Sequence, residues 1–181
     1  MSPKLPRTLF IATRGVQEYR ATIPVWVNRN DVVLEIGCEW GSTTSRIARH
    51  CKEVIGTDIS PDCVARARAN NPELRFEVLD GFDVLAALRL EGPFSKVYID
   101  MSGISGYRSL LDAVSLLTTY ATVLQPQAII IKSASVQAFA SRCIAWRPSS
   151  MPRNAQACCQ SEGCGPKEVS HFIMPAVGVP E

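Results

Sequence analysis

From residue 31 onward, short apolar runs alternate with helix-patterned stretches at a steady interval. The order is "DVVLEIG", "GSTTSRIARHC", "EVIGTDIS", "PDCVARARANN", "LRFEVLD", "FDVLAALRL" and "FSKVYIDM". A long helical segment runs from about Tyr107 to Leu124, and then comes "QAIIIKS". Strands that are nearly all apolar belong to parallel sheets covered on both faces. Alternation with helices gives an α/β, Rossmann-like, doubly wound sheet with right-handed crossovers. Ser60 and Pro61 are an N-cap and first helical residue, and Pro126 marks a break before the next strand. The remaining segments carry weaker patterns. Residues 1–30 read as an N-terminal extension, expected to be helical, and residues 31–181 as the core. Within that core, 146–167 is rich in Pro, Ser, Cys and Gly and reads as irregular, and "EVSHFIMPAV" as a closing strand.

In sheets of this kind the ligand lies beyond the carboxyl ends of the strands. Glu35, Asp58, Asp80, Asp100 and Lys132 end five successive strands, four acids and one lysine. The first of these ends runs into the turn "VLEIGCEWG", with Gly37 and Gly41 on either side of Glu39. Glycine at such a turn provides a positive φ or close backbone approach. A dinucleotide-binding turn needs G-x-G-x-x-G, and Glu39 stands where its middle glycine belongs. Glu35 and Glu39 would also repel a pyrophosphate. The turn suits a ligand with a cationic end.

These residues resemble the E/D-x-G-x-G-x-G signature of class I S-adenosylmethionine-dependent methyltransferases, with Glu39 in place of the middle glycine. The resemblance continues in order through "IGTDIS", "VLDGFD" and "YIDM", and it implies S-adenosylmethionine as cofactor. By that resemblance Gly37 and Gly41 let the backbone approach the amino-acid end of the cofactor, and Glu35 lies near its ammonium. Asp58, with Ile59 beside it, takes the ribose hydroxyls. Asp80, with Gly81, holds the adenine amino group, and Phe82 lies near the ring. Cys38, Glu39 and Asp100 complete the implied site. A closing antiparallel strand belongs to the same fold type.

The acceptor is read from Asp100 and the residues beyond it. Enzymes that methylate amino groups of nucleic acids show D/N-P-P-Y/F at the strand end where this chain has "DMSG". Cytosine C5 enzymes need a Pro-Cys nucleophile, and the sequence has no such dipeptide. Metal-dependent O-methyltransferases are similar over "VYIDMSGISGYRSLLDAV" but place Asp-Asn where Lys132-Ser133 stands. Asp100 with Lys132 after it resembles the Lys-Asp-Lys-Glu tetrad of RNA ribose 2′-O-methyltransferases. Glu168 falls at the last position of that tetrad, and Arg20 is the candidate for the first lysine. An arginine there positions anions but cannot share a proton. Lys132 acts as base in this reading; a lysine that merely pairs with Asp100 is the alternative. A methyltransferase of a small molecule or protein, or a catalytically silent cofactor-binding subunit, also stays open.

Charge bears on the partner. The net charge is +2, but it is unevenly spread. Residues 1–30 carry Lys4, Arg7, Arg14, Arg20 and Arg29 against Glu18 alone, and 132–167 hold five basic residues against one acid. Between them, 31–131 hold nine basic and thirteen acidic residues. Basic flanks suit RNA, although ordinary solvated charge explains them equally well. A protein partner fits the absence of a visible target-recognition domain. The seven cysteines are odd in number and scattered, as expected of reduced thiols inside a cell, cytoplasmic or nuclear. Cys158, Cys159, Cys164 and His171 lack the usual knuckle spacing of a zinc site, so no metal is expected. No apolar run approaches membrane-spanning length, and the N-terminal apolar stretch is too short for a secretion signal. Among the tryptophans, Trp26 is expected in the core and Trp40 on a functional surface.

Overall fold

A computed structural model describes residues 7–90, 92–101 and 109–144. Six strands form one sheet: β1 (Leu9–Thr13), β2 (Val32–Ile36), β3 (Glu53–Asp58), β4 (Arg75–Val78), β5 (Lys96–Ile99) and β6 (Ala128–Lys132). Their spatial order is β1-β6-β5-β2-β3-β4, and every pairing is parallel. The connecting helices are α1 (Val16–Ala21), α2 (Ile23–Trp26), α3 (Thr44–Ala48), α4 (Pro61–Asn70), α5 (Val84–Leu88), α6 (Leu110–Val123) and α7 (Ala134–Ala140). The expected α/β Rossmann-like sheet is therefore present. Ser60 caps α4 by accepting from the Cys63 amide at 3.3 Å, with Pro61 as its first residue.

Both faces of the sheet are covered, which explains the unbroken apolar strands. Leu34, Ile36, Val97, Ile99, Ile129 and Ile131 pack against α6 through Ala113, Leu117 and Tyr120. Val33, Val54, Tyr98 and Ile130 pack on the other face against Tyr19 of α1, Ile23 of α2 and Ile47 of α3. The three consecutive isoleucines 129–131 are each wholly buried because one points to one layer and its neighbours to the other.

The register decides what shares a face at the ligand end. Glu35 pairs with Tyr98, and Tyr98 with Ile130. Two residues on, the same face carries Gly37, Asp100 and Lys132. All of them lie under the layer that contains α1.

One expectation needs correction. Residues 1–30 are not solely a helical extension, because Leu9–Thr13 is a strand that pairs with β6 in register, Thr13 opposite Lys132. As an edge strand it leaves Leu9 and Phe10 exposed, although four of its five residues are apolar. Helix does form over 16–26. Helix α7 is an addition that the periodicity of the chain does not announce. The closing strand expected at 168–177 and the irregular segment 146–167 lie outside the described residues.

Candidate active site

Asp100 comes directly after β5 and Lys132 ends β6, and their side chains form an ion pair. The pair is partly open to solvent, with side-chain exposures of 17% and 24%. Glu35 lies deeper on the same face, 1% exposed, and accepts from the Thr44 hydroxyl at 2.5 Å. Burial pushes its carboxyl up to about 8 and the Asp100 charge adds to this, against the Thr44 hydrogen bond and the charge of Arg20. At neutral pH such a group is largely protonated, and a cation placed beside it would draw the proton off. Arg20 reaches over from α1, its Nε donating to the Thr43 hydroxyl at 3.0 Å. Three members of the expected tetrad are thus brought to one end of one face. Glu168 lies outside the described residues.

Tyr19, which no motif in the chain singles out, belongs to the same constellation. Its ring meets Tyr98 edge-on at 5.3 Å. The hydroxyl is buried without a hydrogen-bond partner. Burial, with the neighbouring Glu35 and Asp100 charges, raises its pKa well above the usual tyrosine value, so it remains a neutral donor. The only signal was its place beside Arg20 on a short helix.

The turn after β2 is built by glycine, with the positive φ expected of it. Gly37 has φ +84, and a Cβ there would lie 2.1 Å from the Asp100 carbonyl oxygen. Gly41 has φ +81, and its Cβ would strike the Asn71 amide and the Phe76 ring. The space a side chain would need is taken by the protein itself. Glu39, with φ +50, adopts the left-handed region without being glycine. Its amide donates to Asp58 Oδ2 at 3.0 Å, while the Ser60 amide donates to Oδ1 at 3.0 Å. Asp58 therefore ties the turn to the start of α4. Cys38 lies inside the turn, its side chain buried with Val64, Ala67 and Phe76, and burial raises its thiol.

A cleft of about 160 Å³ opens between these ends, lined by Gly37, Asp58, Ile59, Gly81, Asp100 and Met101. Asp80, next to Gly81 in the chain, accepts from the Phe82 amide at 2.9 Å, which fixes the loop. Tyr120 of α6 donates to the Gly81 carbonyl at 3.0 Å from beneath. Ile59 and Phe82 are left half or more exposed beside a cleft ringed by acids. Buried Glu35 suits a cationic end, Asp58 retains lone pairs for hydroxyl donors, and Ile59 with Phe82 offers apolar cover for a ring. That donor set fits S-adenosylmethionine.

Residues 33–127, just over half of the chain, match the family described as "Methyltransferase domain". The chain belongs to that family. Solved methyltransferase structures are similar to it. A TehB-like S-adenosylmethionine-dependent methyltransferase from Corynebacterium glutamicum is 22% identical over 48% of this chain and 46% of its own, with a TM-score of 0.41. DesVI from Streptomyces venezuelae is 18% identical over 75% of this chain and 54% of its own, with a TM-score of 0.47. A complex of the Haloferax volcanii Trm112 methyltransferase activator with a methyltransferase matches at 23% identity, over 50% of this chain and 39% of that one, with a TM-score of 0.40. The chain thus spans about half the length, or less, of the structures it matches. A search of curated proteins gave no match.

The methyltransferase fold leaves other residues with structural roles. Trp26 is partly buried against the α1–α3 cluster, as expected. Trp40 is exposed at the turn, with the Arg66 guanidinium 3.9 Å from its ring centre. Cys158, Cys159, Cys164, His171 and Trp146 lie outside the described residues. Among the described residues, no group of three or more His, Cys, Asp or Glu could hold a metal, and no helix is long and apolar enough to cross a membrane.

Proposed function

We propose that this methyltransferase O-methylates RNA ribose, with Lys132 as the general base. The observation that supports this best is the Asp100–Lys132 ion pair at the mouth of the cleft, with Arg20 on the same side. When bound, S-adenosylmethionine supplies a methyl group on a sulfonium, an electrophile with a good leaving group. The protein must then orient the acceptor and take its proton. In its neutral form Lys132 accepts the hydroxyl proton at Nζ, and Asp100 stabilises the ammonium so formed. Arg20 keeps its charge throughout and orients a phosphate or ribose. Glu168 holds the acceptor or Lys132. Asp58 and Asp80 grip the cofactor at the opposite side of the cleft, Ile59 and Phe82 cover its ring, and Glu35 faces its ammonium. An RNA acceptor sets the protein in the cytoplasm or nucleus, and a protein subunit that helps hold the RNA is compatible with this reading.

The test is mass spectrometry of nucleosides from RNA incubated with the protein and methyl-labelled S-adenosylmethionine. Label in 2′-O-methyl nucleosides is the expected result. Label in base-methylated nucleosides only, or in added small molecules but not in RNA, overturns the assignment.

A further inference from the structure

The charge map of the folded chain differs from the charge map of the sequence. Helices α1, α2 and α3 share one packed layer, joined through Tyr19, Ile23, Val27, Ile47 and Cys51. Arg29, Arg46, Arg49 and Lys52 stand exposed on that layer, and none of them has an ion-pair partner among the described residues. Arg29 is near enough to Cys51 for its charge to lower that thiol's pKa against the larger effect of burial. The acids nearby do little to offset them. Glu18 is held by Arg14, and Asp31 and Glu35 are buried, leaving Glu53 and, on the turn before α3, Glu39 exposed. The opposite layer is nearly neutral: α6 carries Asp112 as its one charged residue, and α5 and α7 carry none.

The basic residues also have a direction. Helix α3 starts at Thr43, which holds Arg20 at the cleft, and runs away from it past Arg46 and Arg49. Lys52 then donates its amide to the Asp31 carbonyl at the amino end of the sheet. At about 1.5 Å per residue this is a track on the order of 10–15 Å long, with Arg20 at its catalytic end. Four of the five groups are guanidiniums, whose planar fork matches a phosphate in two hydrogen bonds.

We infer that the α1–α3 face, through Arg29, Arg46, Arg49 and Lys52, is a docking track for the sugar-phosphate backbone of single-stranded RNA leading into the cleft. The inference rests on the RNA acceptor proposed for the cleft and names the surface that such an acceptor needs. Arg46, Arg49 and Lys52 lie in the stretch 31–131 whose overall composition is acidic, so charge counting along the chain hides them.

The test is fluorescence anisotropy with a labelled single-stranded 20-nucleotide RNA, across a salt series and with S-adenosylmethionine present. The variant is Arg46→Gln/Arg49→Gln/Lys52→Gln, and the control is Arg89→Gln/Arg142→Gln, which removes charge outside the α1–α3 layer. The triple variant should lose at least tenfold in RNA affinity at low salt. The slope of log affinity against log salt should fall by about 2, at roughly 0.7 for each lost phosphate contact on a single strand. The control should stay within twofold of wild type, and all three proteins should bind S-adenosylmethionine alike. A triple variant that binds RNA as wild type does overturns the track alone. A wild-type protein with no RNA affinity at any salt defeats the RNA acceptor, and the track with it.

Discussion

Two lysine–aspartate pairs bridge neighbouring strands at opposite ends of this sheet, and they are built differently. At the amino end, Lys96 of β5 meets Asp31 at 2.8 Å, with side-chain exposures of 5% and 4%. Every direction around that pair is occupied. Lys96 also donates to Gln127 at 2.8 Å, and Asp31 accepts from the Ser95 hydroxyl at 2.7 Å and the Asn28 amide at 2.8 Å. Burial alone would raise the Asp31 pKa, but the hydrogen bonds from Lys96, Ser95 and Asn28 outweigh it and hold the group below the usual carboxylate range. At the carboxyl end, Asp100 and Lys132 are several times more exposed, and Asp100 lines a cleft. The same two residue types therefore make a closed clamp in one place and an open pair in the other. Openness and an adjoining cavity, rather than the ion pair itself, mark the pair that chemistry can use.

Removing one lysine from each pair sharpens that contrast most. Lys96→Met leaves a buried carboxylate without its counter-ion, which costs about 3–5 kcal/mol and lowers Tm by roughly 10 °C. Lys132→Met should cost about 1 kcal/mol or less in stability while abolishing methyl transfer. Thermal melts of both variants check this, and equal losses of Tm would erase the distinction between the pairs.

Glu35 provides the next test, because its burial without a full counter-charge opposes folding. Its folded pKa of about 8 is raised above an unfolded value near 4.3. The stability it allows is therefore fully present below about pH 4.3 and is lost as pH rises through about 8. In the absence of cofactor, wild-type Tm should fall from pH 5 to 9 more steeply than that of Glu35→Gln, with the variant the more stable by a few degrees at pH 8–9. S-adenosylmethionine binding should weaken in the variant by about tenfold, one hydrogen-bonded charge contact. Parallel pH profiles would show that Glu35 is ionised throughout.

The smallest expected effect is at Glu39, whose left-handed backbone costs a non-glycine residue roughly 1 kcal/mol. Glu39→Gly should raise Tm by about 2–4 °C and leave cofactor affinity within twofold, because what Asp58 receives is the backbone amide. A large loss of affinity would mean that the Glu39 carboxylate itself contacts the cofactor.

How far the sequence disclosed this architecture depended on how each residue is buried. The strands at 32–36, 53–58, 96–99 and 128–132 were legible because residues covered on both faces leave an apolar run, and edge strand 75–78 because it falls between two helical stretches in the alternation. Strand β1 was not, although LFIAT is an apolar run, because it stands apart from the strand–helix alternation that begins at residue 31. Asp58 and Asp100 could be placed at the cleft, and Lys132 beside Asp100, because strand ends map onto one edge of a parallel sheet. Tyr19 and the Lys96–Asp31 clamp escaped notice because their partners are 65 or more residues away, or absent.

The central claim, that Lys132 takes the acceptor proton, is tested most directly by comparing Lys132→Arg with wild type in single-turnover methyl transfer. Arginine preserves the positive charge facing Asp100 but cannot accept a proton at working pH. The account predicts a rate lower by about 10²–10⁴, with S-adenosylmethionine affinity within twofold of wild type and Tm nearly unchanged. A Lys132→Arg protein that transfers methyl groups at the wild-type rate would contradict it, leaving Lys132 as no more than the partner of Asp100.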